Sequence, residues 1–333
     1  MLRILPTLAA LFLLASPLAA QCLGENLIAA MSPDARATLQ AKVDTYPYSR
    51  GNFWRATRQG PDGDQVIHLI GTYHLDDPRH KATLAALAPV LDSAATLLVE
   101  AGPDEEAAVK AAIARDPSLM FVTEGPTLPE RLTASEWDAV TTAMRTRGIP
   151  PFLAAKMQPW YLSMMLGIPP CGMTKLQQAK GLDAQIIDAA TARGLPPQAL
   201  EPFDTVFKLF AGMTDAEQLG MIRSTLPMEA QGADYAVTLA DAYFAGDSRL
   251  LWEFLRLRAH DTPGTTPAQT DAEFAMMEEA IMSSRNRAWI PVIEAAVAKG
   301  PVLAAFGALH LPGKDGVLNL LVQNGFAVER LPL

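Results

Sequence analysis

Three short apolar runs, two near the start of the chain and one near its end, most constrain the fold. They cover residues 66–70, 96–99 and 301–306, and consist mainly of valine, isoleucine, leucine and alanine. Segments with a helical pattern follow the first two runs. Strands that alternate with helices pair in parallel within one sheet. The pattern predicts an α/β fold with a mixed, largely parallel central sheet that is built from both ends of the chain.

The middle of the chain, residues 119–262, has a mostly helical pattern and predicts a large helical insertion. The insertion divides the α/β core into an N-terminal half, residues 21–118, and a C-terminal half, residues 263–333. In the C-terminal half we expect a helix over 271–299, broken at Pro291 because proline lacks a backbone donor. Half of the 333 residues are hydrophobic, which is enough to bury a core of this size.

Residues 1–20 have the pattern of a secretory signal peptide. Arg3 precedes an apolar run over 4–15, and small residues lead up to Ala20, near which we expect cleavage. The apolar run is shorter than the about 20 residues that a membrane helix needs, and no later stretch is long and apolar enough to span. We therefore expect a periplasmic or secreted protein with no stable membrane span in the mature chain.

The expected mature chain contains two cysteines, Cys22 and Cys171. Two cysteines in an oxidising compartment often pair, so we predict a disulfide bond between them. Two unrelated thiols are the alternative, and lipidation of Cys22 is a further one. Gln21 argues against lipidation, because lipoprotein processing favours a small residue at that position.

The chain is acidic, with a net charge of −9 and no cluster of basic residues. Because nucleic-acid phosphates are neutralised by clustered lysine and arginine, we expect no nucleic-acid partner. We expect a peptide or a small-molecule substrate instead. The sequence does not indicate an oligomeric state.

Two of the predicted strands end in the same pattern, a glycine followed three residues later by a histidine. One copy is Gly71 with His74, and the other is Gly307 with His310; the strand over 96–99 ends at Glu100. Sites form at the carboxyl ends of parallel strands, so two imidazoles and a carboxylate are expected to meet there. This donor set suits a divalent transition metal such as Mn, Co or Zn with an open position for water. The alternative is two ordinary hydrogen-bonded histidines.

Other polar residues are expected to have supporting or structural roles. His68 lies inside a strand and is interpreted as a buried group that supports the site, whereas His80 begins a helix and is expected to be exposed. Asp183, near a helix start, is interpreted as a cap, and Glu201 as the end of a short strand. The sequence leaves open whether either carboxylate reaches the site.

The chain resembles the TraB/GumN family, which includes the Tiki-type metalloproteases. The resemblance extends over about residues 50–331 and rests on 68–74 (HLIGTYH), 97–100 (LLVE), 181–183 (GLD), 200–201 (LE), 285–286 (RN), 306–316 (FGALHLPGKDG) and 325–331 (GFAVERL). It implies an α/β core with two related halves, similar to erythromycin esterase-like and ChaN-like proteins, and a metal-dependent hydrolase activity. It also implies active positions at His74, Glu100 and His310, with Arg285 and Asn286 nearby.

The function expected from these observations is that of an exported metal-dependent hydrolase, with a peptidase preferred over an esterase. His74 and His310 would bind the metal, and Glu100 would be a third ligand or the general base. Arg285 would stabilise the developing oxyanion, and Asn286 would orient the substrate or a ligand. A salt bridge and a helix cap are the structural alternative for Arg285 and Asn286.

The other function left open is that of a non-catalytic periplasmic binding protein, which would hold a peptide, a haem or an envelope component in the same cleft. Paired histidines can ligate a haem iron, so the histidine pattern alone does not separate binding from catalysis.

Overall fold

A computed structural model of the protein describes residues 22–61, 63–173, 180–262 and 264–333. The predicted signal peptide, residues 1–20, lies outside the described residues. Within the described residues no helix has both the length and the apolar character that crossing a bilayer requires.

Six strands form one central sheet. They are β1 (Phe53–Gly60), β2 (Gly63–Thr72), β3 (Thr96–Val99), β4 (Pro197–Ala199), β5 (Val302–Gly307) and β6 (Ala327–Arg330). The spatial order is β4–β3–β5–β2–β1–β6. Strands β4, β3, β5 and β2 pair in parallel, whereas β1 is antiparallel to β2 and β6. The C-terminal strand β5 lies between the two N-terminal strands β2 and β3, so the predicted sheet built from both ends of the chain is confirmed.

The helices occupy most of the remaining chain. The α-helices that lie wholly within the described residues are Pro33–Val43, His80–Ser93, Pro103–Arg115, Leu128–Arg131, Ala134–Thr146, Pro151–Ala154, Pro159–Gly167, Leu182–Thr191, Thr205–Ala211, Asp215–Thr225, Gly232–Phe244, Ser248–Ala259, Pro267–Glu278, Ser284–Val297 and Val317–Gln323. Short 3₁₀ turns lie at Pro117–Leu119, Leu226–Gln231 and Ala308–His310, and a π-helical turn lies at Glu279–Ser283. The span 119–262 is therefore mostly helical, but it also contributes β4 and one helix to the α/β core.

Strand β5 is buried on both faces and therefore divides the core into two layers. Ala304 and Phe306 pack on one face, beneath the helix Ser284–Val297 with its buried Trp289. Leu303 and Ala305 pack on the opposite face, beneath the helices His80–Ser93 and Leu182–Thr191; Leu87 and Ile186 are the buried contacts. A strand covered on both sides reads as a continuous apolar run, which is why residues 301–306 lack the alternation of a half-exposed strand.

The disulfide between Cys22 and Cys171 is present, which confirms the predicted pairing. Next to it, the backbone N–H groups of Glu25 and Leu27 donate to Asp234 and Thr238. The N-terminal segment is thereby fixed to the helix Gly232–Phe244 and to the chain around residue 171.

The expected break at Pro291 is wrong. Pro291 lies inside the helix Ser284–Val297, and buried Ile290 and Ile293 hold the helix on the core on either side of it. This packing offsets the backbone hydrogen bond that proline cannot make. The irregularity lies earlier, in the π-helical turn Glu279–Ser283.

The expected exposure of His80 is also wrong, since its side chain is fully buried. Its Nε2 lies 3.0 Å from the carbonyl oxygen of Leu75. The ring packs among the aromatic rings of Tyr73, Tyr243 and Phe244. The sequence places His80 at a helix start, but it does not show that this end of the helix faces the core.

Candidate functional site

The carboxyl ends of four parallel strands place polar side chains at one edge of the sheet. His74 follows β2, Glu100 follows β3 directly, and His310 follows β5 after one 3₁₀ turn. Glu201 follows the edge strand β4. Parallel strands present their carboxyl ends at the same edge, so residues far apart in sequence meet there.

Gly307 lies between the three side chains that the sequence singled out. A Cβ atom built on Gly307 would lie 3.2 Å from Glu100 Oε1, 3.5 Å from His74 Nε2 and 3.7 Å from His310 Cδ2. The structure thus brings His74, Glu100 and His310 around one point, and the glycine leaves the space between them open. The backbone N–H of Gly307 also donates to Glu100 Oε1 at 2.6 Å.

The guanidinium of Arg285 lies between two carboxylates. Its Nη2 donates to Glu100 Oε2 (2.7 Å) and Glu201 Oε1 (2.6 Å), and its Nε donates to Glu201 Oε2 (2.9 Å). Its Nη1 donates to the carbonyl oxygen of Ile281 (3.0 Å) and lies 3.4 Å from Nε2 of His310. A guanidinium has five N–H groups, and these five contacts give each of them a partner.

The π-helical turn Glu279–Ser283 ends two residues before Arg285 and contains its partner Ile281. Such turns are rare and often lie at functional sites, because they change the direction of the side chains that follow. Here the turn lies just before Arg285, whose side chain extends from the helix toward the carboxyl edge of the sheet.

Glu100 is an ionised carboxylate. Burial raises its pKa, but His310 and His74 in their protonated forms and Arg285, together with the N–H of Gly307, outweigh burial and lower the pKa to about 2. Arg285 is the permanent cation among them, so it dominates near neutral pH. A carboxylate with so low a pKa is a weak base.

His310 is a neutral imidazole held in one orientation by Asn286. The Nδ2 of Asn286 donates to the carbonyl oxygen of Asp315 (2.9 Å), which leaves its Oδ1 to accept from His310 Nδ1 (2.6 Å). The proton is therefore on Nδ1, and Nε2 carries a lone pair. Burial lowers the pKa of His310 to about 4, with Arg285 adding to the effect. The ring packs on Trp289, with 4.4 Å between ring centroids.

His74 differs from His310 in both exposure and charge. Its side chain is 64% exposed because it borders an open cavity. Its Nδ1 lies 3.3 Å from Asp183 Oδ1, and this hydrogen bond raises the pKa of His74 although partial desolvation in the cleft opposes it. A proton on Nδ1 leaves the Nε2 lone pair facing Gly307.

Asp183 and Glu201 both reach the site, a point the sequence left open. Asp183 lies in the first turn of the helix Leu182–Thr191, and this helix is joined to the end of β2 by the hydrogen bond from Leu182 N to Tyr73 O. Gly181 contacts the backbone of His74 so closely that a Cβ there would meet the His74 carbonyl. The sequence signals for these two residues were the GLD (181–183) and LE (200–201) motifs of the family resemblance. Neither motif shows which side chain its carboxylate contacts.

Of the supporting residues, Gly71 packs against the turn that carries His310, whereas His68 contacts neither this turn nor the cavity. A Cβ on Gly71 would lie 2.8 Å from the backbone of Ala308, so glycine lets β2 approach the turn that carries His310. His68 lies within β2, is half buried and stacks on Phe53. Among the described residues that line the cavity at the site, His68 is not included.

A cavity of about 620 Å³ extends from the strand ends into the helical part of the chain. His74, Glu100, Arg285 and His310 line one end of it. The remaining wall is mostly apolar and comes from helices between residues 159 and 282. The reactive groups therefore open into a space large enough for a small organic molecule.

The donor chemistry of the site suits a divalent transition metal, but the spacing does not. Both histidines present Nε2 lone pairs beside a carboxylate. In the part of the chain that the structure describes, however, no three His, Cys, Asp or Glu side chains are close enough to hold one ion. The guanidinium of Arg285 lies against both Glu100 and His310, where a second cation would be repelled.

The fold and the site together define an α/β protein with two histidines and a carboxylate at the carboxyl edge of a parallel sheet. Residues 52–330 match the model of the TraB/PrgY/gumN family, and the chain belongs to that family. The resemblance drawn from the motifs is thus confirmed.

The chain is 23% identical over 275 residues to a protein of Escherichia coli (strain K12) called "Uncharacterized protein YbaP". The match covers 82% of this chain and 94% of the relative. The protein of the same name from Shigella flexneri matches with the same identity and coverage. No solved structure matches the chain.

Proposed function

We propose that the protein is an exported hydrolase that cleaves an acyl bond, an amide in the first place and an ester in the second. One observation carries the proposal: two imidazoles, each bonded through Nδ1 to a side-chain oxygen, flank the same open point at Gly307 beside an ionised carboxylate. In His74 this orientation leaves Nε2 free to take a proton from water, whereas Nε2 of His310 accepts from Arg285.

His74 is the general base in this proposal. Asp183 raises its pKa, and a more basic imidazole takes a proton from water more readily whenever it is in its neutral form. Asp183 also stabilises the imidazolium that forms. Because the ring borders the cavity, both water and a substrate carbonyl have access to it.

The remaining groups position the reaction rather than transfer protons. Glu100 is too weak a base, and its charge stabilises protonated His74. Arg285 was expected to donate to the oxyanion, but its N–H groups are all used. In the proposal Arg285 therefore holds Glu100 and His310 in place, and Asn286 fixes the His310 ring.

The step balances as a hydrolysis. Nε2 of His74 takes a proton from water while the water oxygen forms a bond to the carbonyl carbon. The bond from that carbon to nitrogen or oxygen then breaks, and the proton on His74 passes to the leaving amine or alcohol. The products are a carboxylic acid and an amine or an alcohol, and His74 returns to its neutral form.

Metal dependence, with Mn, Co or Zn bound by His74, His310 and Glu100, stays a prediction. The measured metal content of the purified protein decides it, together with activity after chelation and after return of each ion. A bound transition metal that is lost on substitution of His74 or His310 would support it. Full activity of the metal-free protein would contradict it.

Export also belongs to the proposal. The disulfide between Cys22 and Cys171 supports it, because such bonds persist in oxidising compartments and are rare in the cytosol. A fusion of residues 1–21 to a reporter enzyme would test the expected cleavage near Ala20 by N-terminal sequencing of the exported product.

The catalytic proposal is tested with a panel of amides and esters, comparing the wild type with His74→Gln and with His68→Gln. Loss of a general base lowers kcat by about 10²- to 10⁴-fold, so we expect the kcat of His74→Gln to be lower than that of the wild type by that factor. His68 does not line the cavity and serves as the matched control, with an expected change below about threefold. Equal activity of the wild type and His74→Gln would refute the assignment.

Binding without turnover is the second candidate function, and the apolar character of the cavity favours it. Retained affinity for a cavity ligand with no hydrolysis under any metal would identify a binding protein. Visible absorption of the purified protein separates haem from other ligands.

A further inference from the structure

We infer that the cavity binds an unbranched aliphatic acyl chain of medium length, with the acyl carbonyl at His74. The inference rests on the proposed function for the fate of that carbonyl, but the binding of the chain stands on the size of the cavity and the chemistry of its lining alone.

The cavity is polar at the reactive end and mostly apolar elsewhere. The polar end consists of His74, Glu100, Arg285 and His310. The apolar wall consists chiefly of large aliphatic side chains, of which six are Leu166, Ile168, Leu239, Leu251, Leu255 and Met282. A ligand that fills this space needs one polar group at the reactive end and a hydrocarbon part beyond it.

A peptide backbone suits the apolar part poorly. Every residue of a bound peptide carries an N–H and a carbonyl that need partners once they are removed from water. Among the described residues of the wall beyond the reactive end, Glu229 is the charged one, and Arg147 already bonds both of its oxygens at 2.7 Å. A hydrocarbon chain needs no such partners, so it is the occupant that this wall favours.

The wall is held in place independently of any ligand. Buried Arg147 donates from Nε to the carbonyl of Ile168 (2.7 Å) and from Nη2 to the carbonyl of Leu166 (2.8 Å). The disulfide at Cys171 fixes the chain just beyond. A wall fixed in this way lowers the entropy cost of binding, which is the property of a largely preformed ligand site.

The inference predicts a dependence on chain length. Each methylene that leaves water for an apolar wall strengthens binding by about fourfold. Affinity is therefore expected to rise steadily with chain length until the chain reaches the end of the cavity, and then to level off or fall.

The first experiment measures binding alone. Straight-chain carboxylates from four to fourteen carbons are titrated into the full-length mature protein at pH 7.5, with displacement of a fluorescent fatty acid as the readout. Ala236 lines the cavity from the helix Gly232–Phe244, so Ala236→Phe should shorten the longest chain that binds. Ala139, exposed on the helix Ala134–Thr146, provides the matched control Ala139→Phe, which should leave the profile unchanged.

The second experiment measures turnover of p-nitrophenyl esters and of matching anilides over the same chain lengths. We expect kcat/KM to follow the binding profile and its cut-off to shorten in Ala236→Phe, while Ala139→Phe keeps the wild-type activity at every chain length. In case Ala236→Phe fails to fold, Leu239→Ala enlarges the same wall and should move the cut-off to longer chains.

The outcomes separate the two proposals. Chain-length-dependent binding without hydrolysis supports the acyl site and refutes the hydrolase. Hydrolysis with no dependence on chain length, or with the same cut-off in Ala236→Phe and the wild type, refutes the acyl site and leaves the hydrolase standing. Preferential binding of apolar peptides over carboxylates of equal size would likewise overturn the inference.

Discussion

Removal of the Arg285 side chain is expected to destabilise the protein far more than removal of its partner Glu201. Arg285 is the cation between Glu100 and Glu201, and the three side chains are 15%, 21% and 10% exposed. Their formal charges add up to −1. Arg285→Met leaves two mostly buried carboxylates with a net charge of −2 and no arginine between them, whereas Glu201→Gln leaves a neutral pair.

The expected magnitudes follow from this charge count. Leaving a buried charge without its partner costs about 3–5 kcal/mol, and two carboxylates depend on Arg285 here. Glu201→Gln keeps the 2.7 Å bond between Arg285 and Glu100 and keeps an acceptor for the Trp289 side chain, so about 1–2 kcal/mol is expected. The double variant, Arg285→Met with Glu201→Gln, should lose less free energy of unfolding than the two single variants together. In the double variant the side chain at 201 is neutral, so the loss of Arg285 leaves no unpaired charge there.

Urea unfolding of the three variants at pH 7.5, followed by circular dichroism, gives the free energies of unfolding, provided that the slope with urea is unchanged. Arg223→Met is the control, since Arg223 forms a salt bridge with Glu136 at the surface and such pairs contribute about 0–1 kcal/mol. Equal losses in Arg285→Met and Glu201→Gln, or a loss below 1 kcal/mol in Arg285→Met, would refute the charge argument.

Two further predictions concern the same group of residues. The folded chain holds the pKa of His310 at about 4, below the ordinary 6.5, so the unfolded chain takes up the proton first as the pH falls. The free energy of unfolding should therefore be unaffected by His310 above pH 6.5 and decrease between pH 6.5 and 4, by at most about 3 kcal/mol. Urea unfolding with a chelator present should show that the free energy of unfolding of His310→Gln depends less on pH than that of the wild type. The same pH dependence in both proteins would contradict the prediction. Gly307→Ala places a methyl group 3.2 Å from Glu100 and 3.5 Å from His74, so kcat/KM should fall at least about tenfold with little change in melting temperature. Gly220→Ala, with nothing within 4 Å of the new atom, is the control and should retain activity.

The sequence predicted the sheet and three of its strand ends because those signals are local. An apolar run followed by a glycine and a histidine marks a buried strand and the turn after it. Both copies of this pattern lie at the end of a strand in the structure, one at β2 and one at β5. Burial on both faces of β5 made the run continuous and easy to identify.

The remainder of the site depends on contacts that no local pattern encodes. Asp183 meets His74 because the helix that it begins is joined to the end of β2, and Glu201 meets Arg285 because β4 joins the sheet beside β3. In the sequence both carboxylates look like ordinary residues at the end of an element. The hydrogen bonds that occupy every N–H of Arg285 likewise become visible only when four segments are brought together.

The division of labour between core and insertion has a functional consequence. The reacting groups come from the two ends of the chain and meet only when β5 enters between β2 and β3, so the chemistry depends on complete assembly of the sheet. The apolar wall comes mainly from the intervening helices, which have their own hydrophobic core. Substitutions in that wall can therefore change which substrate fits while His74, Glu100 and His310 stay in place, and this separation makes the chain-length experiment a test of the wall rather than of the catalytic groups.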